Sequence, residues 1–272
     1  MAQTQTPSVA LTLPGKVAVV TGASRGRGIG AAVCRALAAL GADVLFTHWR
    51  AYDGAMDYPE YPEDFEEDGP AALERELRAL GAHVQGLELD LAHPDAYRVA
   101  LDAAEERLGP PAILVNNAAH STRDGYTRLD AATLDAHYAV NVRAMALLSV
   151  EFARRYGNGS GKRIVNLSSG QARGPMVDEL AYVATKGAIE AFTLSLSAEV
   201  ATLGITVNAV NPGPTDTGWM TEWLKAELVR KTGLGRLGQP EDAARLIAFL
   251  CSDAAGWITG QVIHSEGGFL RQ

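Results

Sequence analysis

Apolar and polar positions along this chain fall into blocks that read strand, helix, strand, helix over nearly its whole length. Lys16–Thr21 is a β-branched apolar run ending at glycine, the form of a strand buried on both faces. In Ile29–Leu40 the apolar residues Ile29, Val33, Ala36, Leu37 and Leu40 recur at helical spacing, and Gly41 stops the helix. The same patterns predict further strands at Asp43–Thr47, His83–Leu89, Ala112–Val115, Arg163–Leu167, Ile205–Val210 and Gln261–His264. Helices are expected at Ala71–Leu80, Pro94–Leu108, Ala131–Tyr156, Leu180–Leu203 and Glu241–Leu250. Such alternation implies an α/β fold: a doubly wound parallel sheet of about seven strands with helices on both faces. Residues 49–70 break the pattern with three prolines, five aromatics and a net negative charge, and are expected to be an irregular acidic insert. No repeat or linker divides the rest, so 15–272 is expected to form one domain behind a flexible tail, 1–14.

Composition narrows the classes of function. Apolar residues make up 47% of the 272, enough for a sizeable core. A formal charge of -8 and an isoelectric point near 5.3 argue against a nucleic-acid partner, which calls for a basic stripe. The two cysteines, Cys34 and Cys251, lie in helix-like apolar surroundings and are expected to be buried free thiols. No apolar run approaches the roughly 20 residues of a membrane-spanning helix. The first fourteen residues carry no Lys or Arg and do not form a secretory signal. A cytoplasmic enzyme without a membrane partner is the expectation. The six histidines show no ligand spacing with cysteine, so no metal site is expected.

The first strand runs into Thr21-Gly22-Ala23-Ser24-Arg25-Gly26-Arg27-Gly28-Ile29-Gly30, which opens a helix. Glycines there let the chain turn tightly and approach a pyrophosphate, and a helix N-terminus offers free N–H groups to an anion. A glycine cluster alone is weak evidence, but its place after the first strand of an alternating pattern favours a dinucleotide-binding, Rossmann-like turn. Two registers fit: Gly22, Gly26 and Gly28, or Gly22, Gly28 and Gly30 with two extra residues in the loop. The second is preferred, because Ile29 begins the apolar stripe and Gly30 then packs where helix crosses strand.

From Lys16 to about Phe269 the chain resembles the short-chain dehydrogenase/reductases, and within them the 3-oxoacyl-acyl-carrier-protein reductase-like members. The resemblance rests on motifs standing in the family's order: the glycine turn, Asp90-Leu91, Asn116-Asn117-Ala118-Ala119, Asn141, Ser169, Tyr182-x-x-x-Lys186 and Asn211-Pro212-Gly213. The stretch from Gly235 to Ala244 and Trp257-Ile-Thr-Gly-Gln also match. Three departures stand out. The phosphate loop is two residues longer, Ala119 replaces a glycine, and the usual Val-Asp-Gly-Gly near the end reads Ser265-Glu266-Gly267-Gly268 after His264.

Tyr182 and Lys186 are four apart on a predicted helix and project from one face. A free tyrosine has a pKa of about 10, and lowering it by ~3 takes ~4 kcal/mol of differential interaction. A nearby ammonium and a bound nicotinamide are expected to supply that, making Tyr182 a proton donor to a developing alkoxide or an acceptor from an alcohol. The resemblance implies that Lys186 also holds the nicotinamide ribose. Ser169, thirteen residues before Tyr182, stands at the family's separation and is expected to orient the substrate oxygen, with Ser168 the neighbouring alternative. Asn141, a poor helix former inside a long helix, matches the residue that holds a water between the lysine and solvent. Each motif taken singly is better explained by packing or capping. In order and at family spacing they read together as a catalytic group.

The resemblance extends to the cofactor. Gly22, Ser24, Arg25, Gly28, Ile29 and Gly30 are expected to cradle the phosphates. Asp90 and Leu91 are expected at the adenine, Asn117 and Ala118 beside the dinucleotide, and Pro212, Gly213, Thr215 and Thr217 at the nicotinamide amide and phosphates. An acid at the end of the second strand would favour NAD(H), but that position is His48 and the nearest acid is Asp53. Arg25, Arg27 and Arg50 are close enough in sequence to meet a 2′-phosphate, so NADP(H) is favoured. Residues 211–235 are expected to form the substrate loop, with Trp219, Met220 and Trp223 closing over a ligand or packing against the body. Gln171, Arg173, Met176 and Glu179 are expected to line the pocket from the other side.

The function implied is reduction of a 3-oxoacyl-like or other small carbonyl to a secondary alcohol. Two alternatives stay open: a sugar, polyol or steroid alcohol dehydrogenase, and a non-catalytic dinucleotide-binding regulator, which would be expected to lack Tyr182 or Lys186. By resemblance the chain is expected to form a homotetramer through the helices at 131–156 and 180–203, with a dimer as the alternative. Ala181, Ala184, Gly187, Ala188 and Ala191 would permit close helix contact.

Overall fold

The computed structural model describes residues 11–55, 69–159 and 161–269. The first ten residues of the expected tail and residues 56–68 of the expected insert therefore lie outside it. Seven strands form one parallel sheet: β1 Val17–Val20, β2 Asp43–His48, β3 Val84–Glu88, β4 Ile113–Asn116, β5 Lys162–Leu167, β6 Ile205–Asn211 and β7 Val262–His264. Their order is β3-β2-β1-β4-β5-β6-β7. β1 pairs with β2 on one side (Val17 opposite Asp43) and β4 on the other (Ala18 opposite Ile113). The chain thus winds outward in one direction to β3 and then back from β1 through β4, so the order reverses between β1 and β4. A crevice opens beyond the carboxyl ends of the strands at such a reversal.

Alternate residues of each strand face opposite sides, and both sides are apolar. Val20, Val44, Phe46 and Val115 pack under α1 (Ile29–Ala39), α3 (Gly69–Ala79) and α9 (Pro240–Cys251), with Val33, Leu37, Leu73, Leu77 and Ile247 meeting them. Val19, Leu45, Leu114, Ile164 and Val207 face α4 (Ala96–Leu108), α6 (Met145–Tyr156) and α7 (Leu180–Val200), where Leu101, Leu148, Phe152 and Leu196 wait. Cys34 and Cys251 are buried free thiols.

The structure corrects the expected elements at three places. The insert begins with a short helix, α2 (Arg50–Ala55), rather than irregular chain. Six residues are too few for a helical period to show. The substrate loop contains α8 (Glu222–Lys231), which buries none of its residues and so carries no apolar stripe to read. Thr221 caps it by accepting the Leu224 N–H at 3.1 Å. The long helix expected at 131–156 is α5 (Ala131–Tyr138) joined to α6 through a π-helical turn, Ala139–Ala144. That turn shifts the side-chain direction where Asn141 stands, a deviation that recurs at functional sites. No described helix is long and apolar enough to cross a membrane.

Candidate active site

The crevice is built by stitching the ends of β1, β2 and β4. Thr21 Oγ1 accepts from the backbone of Asn117 and of Ala118, each at 3.1 Å. The Asn117 side chain returns two bonds, to the carbonyls of Thr21 (2.9 Å) and Gly22 (2.8 Å). Gly22 has φ +74, and a Cβ there would sit 2.6 Å from Ala118 Cα. At Gly30 a Cβ would fall 2.5 Å from the Gly22 carbonyl and 2.6 Å from Asn117 Nδ2, whereas at Gly26 it would meet nothing within 4 Å. The glycines that geometry requires are therefore Gly22 and Gly30, which selects the longer of the two registers. Gly28 is the N-cap of α1, and no side chain caps that helix. Its first turn faces the crevice with backbone donors and no acid, the arrangement that receives a phosphate.

At the adenosine end the structure alters the expected picture. His48 closes β2, but α2 carries Asp53 back beside it. Asp53 shares a hydrogen bond with Ser24 and lies near Arg25, Arg50 and His48. Burial raises the Asp53 carboxyl above its usual range, outweighing the Ser24 bond and the cations. Burial likewise lowers His48. His48 Nδ1 and Asp53 Oδ2 are both buried without a hydrogen-bond partner. Two orphaned polar atoms in residues that interact electrostatically are costly in a folded protein and suit a polar ligand. Asp90 follows β3 at the same end of the sheet, its Oδ1 accepting from Ala92 N at 2.8 Å, and Leu91 is buried beneath it.

The catalytic side chains converge from β5, the loop after it and α7. Ser169 hydrogen-bonds Tyr182 and lies 3.8 Å from Met176 Sδ. Lys186 is fully enclosed, donates to the Leu167 carbonyl at 2.7 Å and sits 5.3 Å from the centre of the Tyr182 ring. Burial lowers its pKa to about 8. The Tyr182 phenol shifts upward. Burial pushes the phenol above its ordinary value, and the Ser169 bond only partly opposes that. Asn141 is buried in the π turn; its Nδ2 donates to the His120 carbonyl (2.9 Å) and Thr185 Oγ1 (3.0 Å).

The remaining expected residues spread around this centre. Gly213 needs its φ of +65, and a Cβ there would collide with Glu266 Cα at 2.8 Å. Thr215 is buried, its hydroxyl 3.2 Å from the carbonyls of Pro212 and Gly213, and its carbonyl accepts from Thr217 N at 3.0 Å. Gln171 reaches Ser168, which in turn donates to Glu190. Trp219 and Trp223 are exposed while Met220 is wholly buried, so the segment turns two indoles outward and anchors itself through the methionine.

Sequence reasoning missed the residue that fixes the start of α7. That helix has no cap from its own N-terminal residue, Glu179. The cap comes from Asp124, 3% exposed in the loop after β4, whose oxygens accept from Leu180 N (2.7 Å) and Ala181 N (2.8 Å). Burial opposes ionisation of Asp124, but the backbone donors of Ala181, Gly125 and Leu180 outweigh it and hold the carboxyl below its usual range. A folded-state pKa below the unfolded one stabilises the protein above the ordinary carboxylate range, and the stabilisation fades as pH falls through the folded value. Asp124→Ala should cost about 2–4 kcal/mol in urea unfolding at neutral pH, because two helix-start N–H groups lose their acceptors. A loss under ~0.5 kcal/mol would show that solvent replaces the cap. Only tertiary contact brings residues 124 and 180 together, so no local signal marks the pair. Among the described residues no group of His, Cys, Asp and Glu is placed to hold a metal ion.

Comparison with known proteins points the same way. Residues 62–270 match the family described as enoyl-(acyl carrier protein) reductase. The uncharacterized oxidoreductase YjdA of Bacillus subtilis is 52% identical, the match covering 94% of this chain and 97% of that one. A short-chain dehydrogenase from Burkholderia cenocepacia, solved with NADP, superposes with a TM-score of 0.82 at 34% identity, over 94% of this chain and 98% of that one. A 7α-hydroxysteroid dehydrogenase solved with NADH and 7-oxo glycochenodeoxycholic acid superposes with a TM-score of 0.85 at 26% identity, over 98% and 99%.

Proposed function

The chain belongs to the short-chain dehydrogenase/reductase family and is an oxidoreductase of CH–OH and carbonyl groups; from that premise we propose that it reduces a ketone to a secondary alcohol with NADP(H), Tyr182 acting as the acid. The observation that carries the proposal is the joined set Ser169–Tyr182–Lys186 at the carboxyl edge of β5, beside the crevice where strand order reverses. Gly22, Ser24, Arg25, Gly28, Ile29 and Gly30 would hold the pyrophosphate on the uncapped start of α1. His48 and Arg50 would hold the adenosine ribose and its phosphate, Asp90 and Leu91 the adenine, and Asn117 and Ala118 the inner edge. Pro212, Gly213, Thr215 and Thr217 would hold the carboxamide end. When bound, the nicotinamide supplies the hydride. Ser169 orients the carbonyl oxygen, Tyr182 delivers a proton to it, and Lys186 holds the ribose and supports the phenol as its proton leaves. Gln171 and Met176 would shape a pocket for a 3-oxoacyl-like or other small carbonyl, whereas Trp219, turned outward, and Met220, wholly buried, are not placed to line it.

The second reading is an NAD(H)-linked alcohol dehydrogenase, favoured by one atom. Asp53 Oδ2 lies buried and unpartnered beside His48, where a carboxylate would accept from ribose hydroxyls. Against it stand Arg25 and Arg50, which suit a phosphate. Turnover across ketones and their alcohols with both dinucleotides separates the two. The expected result is a KM for NADPH at least about tenfold below that for NADH, the difference of one charge-assisted contact. Equal use of both would favour the second reading, and titration that detects uptake of neither would remove both. A homotetramer is proposed as well: Ala184, Gly187 and Ala191 are exposed along α7, and Leu194 beyond them is 62% exposed.

A further inference from the structure

Three successive backbone N–H groups in the loop after β4 are each taken by a side chain from a different element. His120 N donates to Asn141 Oδ1 at 2.7 Å, Ser121 N to the Tyr52 hydroxyl at 3.0 Å, and Thr122 N to His137 Nε2 at 3.2 Å. His137 can accept there because its Nδ1 donates to the Thr133 carbonyl at 2.8 Å. Asn141 brackets the His120 residue by donating back to its carbonyl, and Tyr52 does the same at Ser121, at 3.4 Å. The rings interlock as well. His120 lies between Tyr52 (centroids 5.3 Å apart) and His137 (4.7 Å, edge-on).

Of the three clamps, two belong to α5 and the π turn, and the third comes from α2, 69 residues away in the chain. A loop peptide bonded at both its N–H and its C=O has little freedom to tilt, and Asn141 can keep its amide on Thr185 and His120 only while that loop stays in place. Thr185 stands between Tyr182 and Lys186 on α7. Its hydroxyl donates to the Tyr182 carbonyl at 2.7 Å, so the chain of contacts ends at the catalytic helix. On the same short helix, Arg50 and Asp53 lie by Ser24 and Arg25 of the glycine turn. α2 therefore touches both ends of the crevice.

From this geometry we infer that Tyr52 is a positioning residue of the reduction: its hydroxyl, set across Ser121, holds loop 118–122 so that Asn141 and the Tyr182–Lys186 pair keep their catalytic spacing. The inference rests on the proposed reductase activity, but one arm of its test does not. Tyr52→Phe keeps the ring against His120 and removes only the hydroxyl. It should lower kcat about tenfold, leave KM for ketone and dinucleotide within about twofold, and leave the melting temperature within about 2 °C. Hydrogen exchange of the 118–123 segment, read without substrate, should become at least about fivefold faster. Tyr52→Leu, which also loses the ring contact, should slow turnover further.

An unchanged kcat in Tyr52→Phe with faster exchange would overturn the catalytic part. Unchanged exchange would overturn the clamp itself. A rise in dinucleotide KM at constant kcat would reassign Tyr52 to cofactor binding. Should the wild-type chain reduce no carbonyl, exchange still reports on the clamp, so failure of the activity and failure of this inference remain distinguishable.

Discussion

Tyr182→Phe is expected to lower kcat for carbonyl reduction by about a thousandfold, ~4 kcal/mol of barrier, while dinucleotide binding measured by fluorescence titration changes less than about threefold. The substitution removes one oxygen. The ring, its place above Lys186 and the fold of α7 stay. What is lost is the phenol hydrogen-bonded to Ser169, and with it the proton that a developing alkoxide would take. Burial pushes the Tyr182 phenol above its ordinary value, which favours the form that carries this proton. Turnover in the variant within tenfold of wild type would mean that another group donates, and the mechanism would fail.

The second large effect concerns Lys186→Met, expected to lower kcat/KM by about a hundredfold or more and to change its pH dependence. Lys186 is enclosed and its pKa is lowered to about 8 by burial. The reductive kcat/KM of the wild type should therefore fall as pH rises past about 8, because the ammonium that supports the departing phenol proton is itself lost. In the variant that descending limb should vanish. The same shift has a consequence for stability with a definite sign. A lysine whose folded pKa lies below the unfolded value of about 10.4 binds fewer protons folded than unfolded between those limits, so its contribution makes the protein more stable as pH climbs through that window. Activity and this part of stability thus move in opposite directions with pH. Methionine has nearly the length of lysine and needs no partner, so the variant should fold, although the Leu167 carbonyl loses its donor. A variant that keeps the limb near pH 8 would assign that titration to another group.

The fold was legible in the chain because a parallel sheet covered on both faces needs strands apolar on both sides and helices apolar on one, and those two periods can be counted. The termini of elements such as α1 and β2 follow from Gly41 and its neighbours. The helices that escaped, α2 and α8, lack that signal: one is six residues long and the other buries nothing. The π turn at Ala139–Ala144 is equally silent, since one extra residue in a helical ring leaves an apolar pattern readable as plain helix.

The site divides along the same line. Chemistry carried by residue type at a fixed spacing was determined by the chain alone: the glycine turn, Ser169 thirteen before Tyr182, Lys186 one helical turn on. Local geometry translates such spacing directly into position. Contacts across long separations in the chain were decided only by tertiary structure. Asp124 capping α7, Asp53 returned to His48, and Tyr52 set across Ser121 each need two elements docked before the pair exists. The direction of the Tyr182 and Lys186 shifts belongs to this second class. Spacing places a cation near a phenol, but how far each is removed from water, and which carbonyl the ammonium finds, depends on the packing around them.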